Sequence, residues 1–294
     1  DYKSFKIKKH SQIEVMDYYK ELDIKSNITK NHLINNQISL LMKKQYEQYP
    51  YPRWVNISTF SKKATFYDIA KKFNLNFKNK NFINKKFHRG LIAGCGTGHQ
   101  SINAALSFPE CNFMAIDLSE TSLAYAIRKT NELGITNINY VQNDILNLKD
   151  LNGKFDYIEC TGVLHHMKNP KEGWNVLRDI LETDGIMKIG LYSKIARKEL
   201  LEFKRKIDSK YKLKNIKDIK ELRHKIINDN LEKPQIFDSI DFFSISGFKD
   251  LLLNENEFQF DLIEIKKILS DLKLHFCGFQ IRNHNIKNEV FKNN

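Results

Sequence analysis

Two rhythms of apolar residues alternate along the middle of the chain. Short apolar runs at Gly90–Ala93, Cys111–Asp117, about 137–142, Phe155–Cys160 and Gly185–Leu191 read as strands. Between them the apolar positions fall at helical spacing. One helix carries Ile102, Ala105 and Leu106 and stops before Pro109; a second is capped by Ser119, carries Leu123, Ala126, Ile127 and Thr130 on one face, and closes at Gly134. A third opens on Asn169-Pro170-Lys171-Glu172 and is expected to end near Asp184-Gly185. Strand–helix alternation of this kind predicts an α/β domain with a parallel sheet covered on both faces. Residues 63–73 read as one amphipathic helix, Leu262–Leu272 as another, His275–Ile281 as a late strand, and the chain ends in a polar tail from Asn283.

The flanks follow other patterns. Residues 1–60 read as short helices leading into Tyr46-Glu47-Gln48-Tyr49-Pro50-Tyr51-Pro52-Arg53-Trp54, where two close prolines predict an extended or turning segment. Residues 194–232 are charged and helical without a turn signal before Pro234, so they read as an insertion. Four segments result: a helical and aromatic lid over 1–61, a core over 62–193, a helical insertion over 194–256, and a strand–helix–strand with its tail over 257–294.

Glycines at 94, 96 and 98 lie between the first strand and its helix, in the order Gly94-Cys95-Gly96-Thr97-Gly98. A tight turn there lets backbone approach a ligand at a helix N-terminus. The GxGxG spacing is not the GxGxxG of a dinucleotide fold, and no Gly-Lys-Ser/Thr of a phosphate loop follows. Asp117 ends the second strand 19 positions beyond Gly98, where an acid can accept both hydroxyls of a ribose. Asp144 follows the third strand and can accept from an adenine amino group, and Gly162 follows the fourth.

Leu91-Ile92-Ala93-Gly94-Cys95-Gly96-Thr97-Gly98, Ala115-Ile116-Asp117-Leu118-Ser119, Asn143-Asp144-Ile145-Leu146 and Phe155-Asp156-Tyr157-Ile158, with Gly162-Val163-Leu164-His165-His166-Met167, together resemble the class I S-adenosylmethionine-dependent methyltransferases. The resemblance covers about residues 88–193, with a further stretch at 258–282. It implies a Rossmann-like, seven-stranded, mostly parallel sheet and S-adenosyl-L-methionine as cofactor, leaving as S-adenosyl-L-homocysteine. It implies that Gly94, Cys95, Gly96, Thr97 and Gly98 cradle the methionine moiety. Asp117, with Leu118 beside it, takes the ribose; Asp144 with Ile145 brackets the adenine; Asn143 and Gly162 complete the set. The family often has an acid two positions before the first glycine, and here Ile92 stands there, which leaves the partner of the cofactor's amino group open.

The same resemblance places acceptor-facing residues after the fourth strand. His165 and His166 are the catalytic candidates, with His165 preferred as the one facing the pocket and the other as scaffold. Tyr46, Tyr51 and Arg53 of the aromatic lid and Tyr192 after the fifth strand are the substrate candidates, Arg53 as a partner for a carboxylate. The Tyr46–Trp54 stretch and Asp241-Phe242-Phe243-Ser244 also resemble a bacterial subgroup whose members can be attached to tetratricopeptide repeats. A chain that opens at Asp1 rather than Met suits such a longer protein, with an upstream repeat domain.

Composition narrows the acceptor. The chain has 294 residues, 48 Lys+Arg against 35 Asp+Glu, a net charge of +13 and a pI near 9.3. The lysines run from end to end with many asparagines, which reads as composition bias; a functional excess would gather on 194–233 near the pocket mouth. The marks of nucleic-acid methylation are missing: Thr161-Gly162-Val163-Leu164 stands where adenine enzymes carry (Asp/Asn)-Pro-Pro-aromatic, and Cys160-Thr161 reverses the pair of RNA cytosine enzymes. A small-molecule or peptide acceptor is expected, and nucleic acid is not. A non-catalytic cofactor-binding scaffold, suggested by Ile92, and an RNA-modifying methyltransferase are the competing readings. No run of about 18 apolar residues exists, so no membrane span is expected. Cys95, Cys111, Cys160 and Cys277 form no CxxC pair or Cys/His cluster, so no metal is expected and a reducing, cytoplasmic compartment is.

Overall fold

A computed structural model describes residues 2–57, 65–77, 85–151, 153–211, 215–228 and 239–280. Five strands form one sheet: β1 (Arg89–Ala93), β2 (Asn112–Asp117), β3 (Ile138–Gln142), β4 (Phe155–Thr161) and β5 (Leu181–Gly190). They lie in the order β3-β2-β1-β4-β5, and every pairing is parallel. The order reverses between β1 and β4, and in an open α/β sheet ligands bind beyond the carboxyl ends of the strands at such a point.

Alternate side chains of each strand enter opposite cores. Ile92, Phe113, Ala115, Tyr140 and Tyr157 pack on one face with α3 (Phe66–Phe73), α4 (His99–Ser107) and α5 (Glu120–Glu132). Leu91, Ala93, Ile116, Val141, Ile158 and Cys160 pack on the other with α6 (Pro170–Asp179), where Trp174 and Leu177 are buried, and with α10 (Leu262–Asp271). Ser119 caps α5 as expected, its hydroxyl accepting from the Ser122 amide. The N-terminal helices α1 (Tyr2–Ser26) and α2 (Gln37–Gln48) lie against α5. Arg128 of α5 is held there by Asp17 and Glu21 of α1.

The insertion contains α7 (Lys194–Lys210), α8 (Ile216–Asn228), a 3-10 turn at Ile240–Phe243 and α9 (Ile245–Leu252). It has an apolar cluster of its own, with Phe203, Ile207, Leu222, Ile226, Phe242 and Phe248 buried together. Between residues 194 and 233 stand fourteen Lys or Arg against seven acids, over half of the chain's net excess. The excess is confined to 194–233: over the whole insertion, 194–256, fifteen Lys or Arg stand against eleven acids, because Asp238, Asp241, Asp250 and Glu255 follow.

Four boundaries differ from the sequence reading. Tyr46 is helical, because α2 runs through Gln48 and the turning segment starts only at Tyr49. The α6 helix ends at Asp179, and Asp184-Gly185 lies inside β5, where the register jumps from Phe155↔Leu181 to Tyr157↔Ile186. The amphipathic helix of 63–73 is seen as α3 from Phe66; residues 63 and 64 lie outside the described residues. Five strands rather than seven are present among the described residues, and the expected strand at 275–281 has no ladder over 275–280. Lys273 turns the chain with φ 56°. Beyond it the chain passes the end of α3, where the Asn76 amide donates to the Cys277 carbonyl at 2.7 Å.

Candidate functional site

The loop after β1 is shaped by left-handed glycines. Gly94 has φ 74° and Gly96 φ 52°, and a Cβ on Gly96 would stand 2.5 Å from the Tyr51 carbonyl oxygen. The aromatic lid therefore rests on the loop backbone, which no other residue type permits. Three bonds hold it there: the Trp54 indole donates to the Thr97 carbonyl at 3.1 Å, the Thr97 hydroxyl donates to the Pro52 carbonyl, and the Tyr125 hydroxyl donates to the Trp54 carbonyl. Thr97 is wholly buried. Thr97→Val, which keeps the shape and removes the donor, is expected to cost about 1 kcal/mol of stability and to expose 49–57 to limited proteolysis.

Asp117 lies at the centre of the loops. Its Oδ2 accepts from the Gly96 amide at 2.8 Å and its Oδ1 from the Ser119 amide at 2.9 Å. A carboxylate offers about four acceptor positions, which these two bonds do not exhaust. Burial pushes its carboxyl up to about 6, against the pull of those amide bonds.

A cavity of about 320 Å³ opens at this point, within the range of small-molecule sites. Its floor is the sheet edge: Gly94, Cys95 and Gly96 after β1, Asp117 and Leu118 after β2, and Asn143, Asp144 and Ile145 after β3. Thr161, Gly162 and Val163 complete it after β4. Gly162 has φ 80° and open space where a Cβ would sit. The Asp144 carboxylate caps the following 3-10 turn by accepting from the Leu146 amide at 3.0 Å. Thr97 and Gly98, expected in the same set, do not line the cavity: Thr97 latches the lid, and Gly98, with φ 85°, opens α4.

The roof comes from outside the core. Ile38, Ser39, Met42 and Tyr46 of α2, with Tyr51 and Pro52 of the lid, cover one side; Tyr192 and Asp250 close the far end. Arg53 is exposed and does not line the cavity, so the structure does not bring the expected carboxylate partner to the site.

The histidine preference is reversed. His166, not His165, lines the cavity. Both fall in the 3-10 turn Leu164–His166, where about three residues make a turn and neighbours point about 120° apart. His165 is buried against Tyr192, ring centroids 3.7 Å apart and 20° from parallel, and neither ring nitrogen is hydrogen-bonded among the described residues. Burial drives it down to about 2, so it stays neutral. His166 has Nδ1 2.8 Å from the Asn256 carbonyl. A carbonyl only accepts, so Nδ1 carries the proton and Nε2 holds the lone pair. Burial also lowers His166.

The far end is a ring of hydroxyls and carboxylates. The Tyr46 hydroxyl donates to Asp250 Oδ1 at 2.8 Å, and the Tyr51 hydroxyl to Asp241 Oδ1 at 3.1 Å. Burial, then the neighbouring Asp241, pushes Asp250 up to about 6. Arg197 lies 4.1 Å from the Tyr192 ring centroid. With His165 stacked at 3.7 Å, the two must occupy opposite faces, so Tyr192 presents only its edge and hydroxyl.

Sequence reasoning missed Asp250 and the α2 wall. Ile38, Met42 and Tyr46 recur every four residues, one helical stripe once the helix is extended to Gln48. Asp250 is an acid among buried residues of the apolar α9, which is the signal it gives. Among the described residues no cluster of His, Cys, Asp and Glu is arranged for a metal ion, and no helix is long and apolar enough to cross a membrane.

The model of a methyltransferase-domain family matches residues 84–235. The chain belongs to this family. It is a class I, S-adenosylmethionine-dependent methyltransferase domain. The chain is 36% identical over 120 residues to an uncharacterized protein of Synechococcus sp., across 40% of this chain and 29% of the relative. It is 33% identical over 103 residues to the tRNA (guanine-N(7)-)-methyltransferase of Clostridium acetobutylicum, across 35% of this chain and 44% of the relative. The solved structure of PKMT2 from Rickettsia typhi in complex with AdoHcy superposes with a TM-score of 0.58 over 83% of this chain and 50% of that chain, at 20% identity, and shares the fold. The chain thus spans about half, or less, of the length of these relatives.

The lining fits S-adenosylmethionine. Asp117 lines the cavity with each oxygen holding one loop amide, a carboxylate suited to the hydroxyls of a ribose, and Gly94, Cys95 and Gly96 of the first loop line the cavity beside it.

Proposed function

We propose that the protein transfers the methyl group of S-adenosylmethionine to a small molecule or a peptide side chain. When bound, the cofactor supplies a methyl on a sulfonium, which passes to an acceptor lone pair while the carbon–sulfur electron pair stays on sulfur. In this reading Asp117 anchors the ribose, and Asn143, Asp144 and Ile145 bracket the adenine. Gly94, Cys95 and Gly96 face the methionine chain, and Gly162 leaves room beside it. Tyr46, Tyr51, His166, Tyr192 and Asp250 surround the acceptor. Alignment within such a walled cavity is worth up to about 7–11 kcal/mol of barrier, and the lid and insertion exclude water from it. The observation that carries the reading is Asp117: a half-buried carboxylate that lines the cavity at the sheet edge while each of its oxygens holds a loop amide.

Isothermal titration tests it. Both S-adenosylmethionine and S-adenosylhomocysteine are expected to bind the folded chain at micromolar affinity, and no binding of either below millimolar would refute the proposal.

RNA methylation is the second reading. It is favoured by the matched tRNA (guanine-N(7)-)-methyltransferases and by the basic excess on residues 194–233. Against it, the cavity lining among the described residues contains no Lys or Arg to meet a phosphate. Steep loss of RNA binding between 50 and 200 mM salt, of the order of 10³-fold or more, marks a multi-phosphate contact; a small-molecule enzyme shows no such RNA binding.

A further inference from the structure

The acceptor end of the cavity is built for a cation. In a chain of net charge +13, the described lining holds three carboxylates, Asp117, Asp144 and Asp250, and neither Lys nor Arg. Asp117 and Asp144 lie on the sheet edge with the cofactor-facing loops. Asp250 comes from α9 of the insertion and has no part in that edge. It is 6% exposed, and its side chain carries only the Tyr46 bond on Oδ1; Oδ2 has no partner among the described residues. Because Asp250 lines the cavity, that oxygen can take a donor from whatever enters it.

The nearby positive charge does not supply it. Arg197 is spent elsewhere: its Nε donates to Glu257 Oε1 at 2.8 Å, its Nη2 to Oε2 and to the Leu251 carbonyl, and its plane covers Tyr192. It does not line the cavity. Around Asp250 stand Tyr46, Tyr51 and Tyr192. The first two bring aromatic rings suited to a cation, and Tyr192, clamped on both faces, brings its hydroxyl.

We infer that the acceptor is a protonated aliphatic amine, on a small molecule or a peptide side chain, that donates an N–H to Asp250 Oδ2 between Tyr46, Tyr51 and Tyr192. The inference rests on the methyl-transfer reading above and names its substrate class. An ammonium has no lone pair, so it must lose a proton before its nitrogen can attack. The Asp250 carboxylate takes that proton, the N–H pair remains on nitrogen, and Asp250 becomes a neutral acid still bonded to Tyr46. A carboxyl pushed up to about 6 is ionised at neutral pH and a better base than an exposed aspartate.

The experiment uses the full chain saturated with S-adenosylhomocysteine, n-butylammonium and n-butanol as probes, and NMR titration as the readout. Butylammonium is expected to bind about tenfold or more tightly than butanol, the scale of one charge-assisted bond. Asp250→Asn, which keeps the shape and the Tyr46 partner, is expected to abolish that preference and leave S-adenosylhomocysteine affinity within about twofold. With labelled S-adenosylmethionine, amines and a lysine-containing peptide are expected to accept methyl, and the matching alcohols and carboxylic acids are not. Equal binding of both probes to the unaltered protein overturns the inference, whether or not the variant folds. So does a tenfold loss of S-adenosylhomocysteine affinity in Asp250→Asn, which would make this carboxylate the partner of the cofactor's own ammonium in place of the acid missing at Ile92. Failure of the methyl-transfer reading is distinguishable, because the unaltered protein would then not take up S-adenosylhomocysteine at all.

Discussion

Asp117→Ala is expected to weaken S-adenosylhomocysteine binding by about 100- to 10,000-fold, the loss of two charge-assisted hydrogen bonds at roughly 1.5–3 kcal/mol each. The carboxylate does two things at once. It faces the cavity, and it ties the Gly96 amide of the first loop to the Ser119 amide of the second. Removal therefore loosens the loops and also takes away the ribose anchor proposed above. Asp117→Asn separates the two roles, since its amide oxygen still holds one of the loop amides while its NH₂ cannot accept. The unaltered site also predicts a pH dependence. Burial raises Asp117 from its ordinary 3.8 to about 6 when folded, so the folded state binds that proton more tightly than the unfolded chain. This group's contribution to stability therefore falls as pH rises from about 4 to 6, where a half-buried charge replaces a neutral acid. Ligand affinity has the opposite sign: the ionised carboxylate is the better acceptor, so binding is full above about pH 7 and declines below about 6. Titrations across pH 5–8 check this. The inflection should vanish in Asp117→Asn and persist in Asp250→Asn; an unchanged profile in Asp117→Asn would assign it to another group.

The residues that the sequence made legible are those whose chemistry is local. β1 is buried on both faces, so Leu91, Ile92 and Ala93 form a continuous apolar run, and the glycines after it are punctuation that only a left-handed turn requires. Asp117, Asp144 and Gly162 follow from strand ends alone, because a parallel sheet aligns those ends at one edge. The sequence reading fails where tertiary contacts decide. His275–Ile281 reads as a strand, yet over the described residues 275–280 no ladder forms, and the Phe276 and Phe279 rings pack on each other with centroids 4.8 Å apart. Which of His165 and His166 faces the cavity depends on the phase of a three-residue turn, which adjacent identical residues cannot reveal. Arg53 stands in an aromatic segment that does reach the site, but the lid is pinned through Pro52, Trp54 and Thr97, which leaves Arg53 outside. Asp250 is separated from Tyr46 by 204 positions, so nothing local announces the pair. Over half of the basic excess falls in 194–233 of the sequence, while the described cavity lining carries acids and neither Lys nor Arg.

Arg197→Ala is expected to cost about 3–5 kcal/mol of stability, the effect of stranding one charge of a buried pair. Arg197 and Glu257 have side chains only 10% and 6% exposed, and the guanidinium meets the carboxylate through two parallel bonds. The geometry is the bidentate one in which arginine is not replaceable by lysine, so Arg197→Lys should recover only part of the loss. The pair also ties the insertion to the core: Arg197 stands on α7, donates to the Leu251 carbonyl at the end of α9, and covers the face of Tyr192 opposite His165. Losing it frees Tyr192 and shifts the segment that carries Asp250, so an acceptor should bind more weakly while the cofactor loops, held by Asp117, remain formed. Urea melts give the stability term, and S-adenosylhomocysteine titration gives the second. A double variant, Arg197→Met with Glu257→Leu, should be more stable than either Arg197→Ala or Glu257→Ala alone, because neither charge is then left without its partner. A loss under about 1 kcal/mol in Arg197→Ala, with no recovery in the double variant, would mean that the pair is solvated and that other contacts hold the insertion to the core.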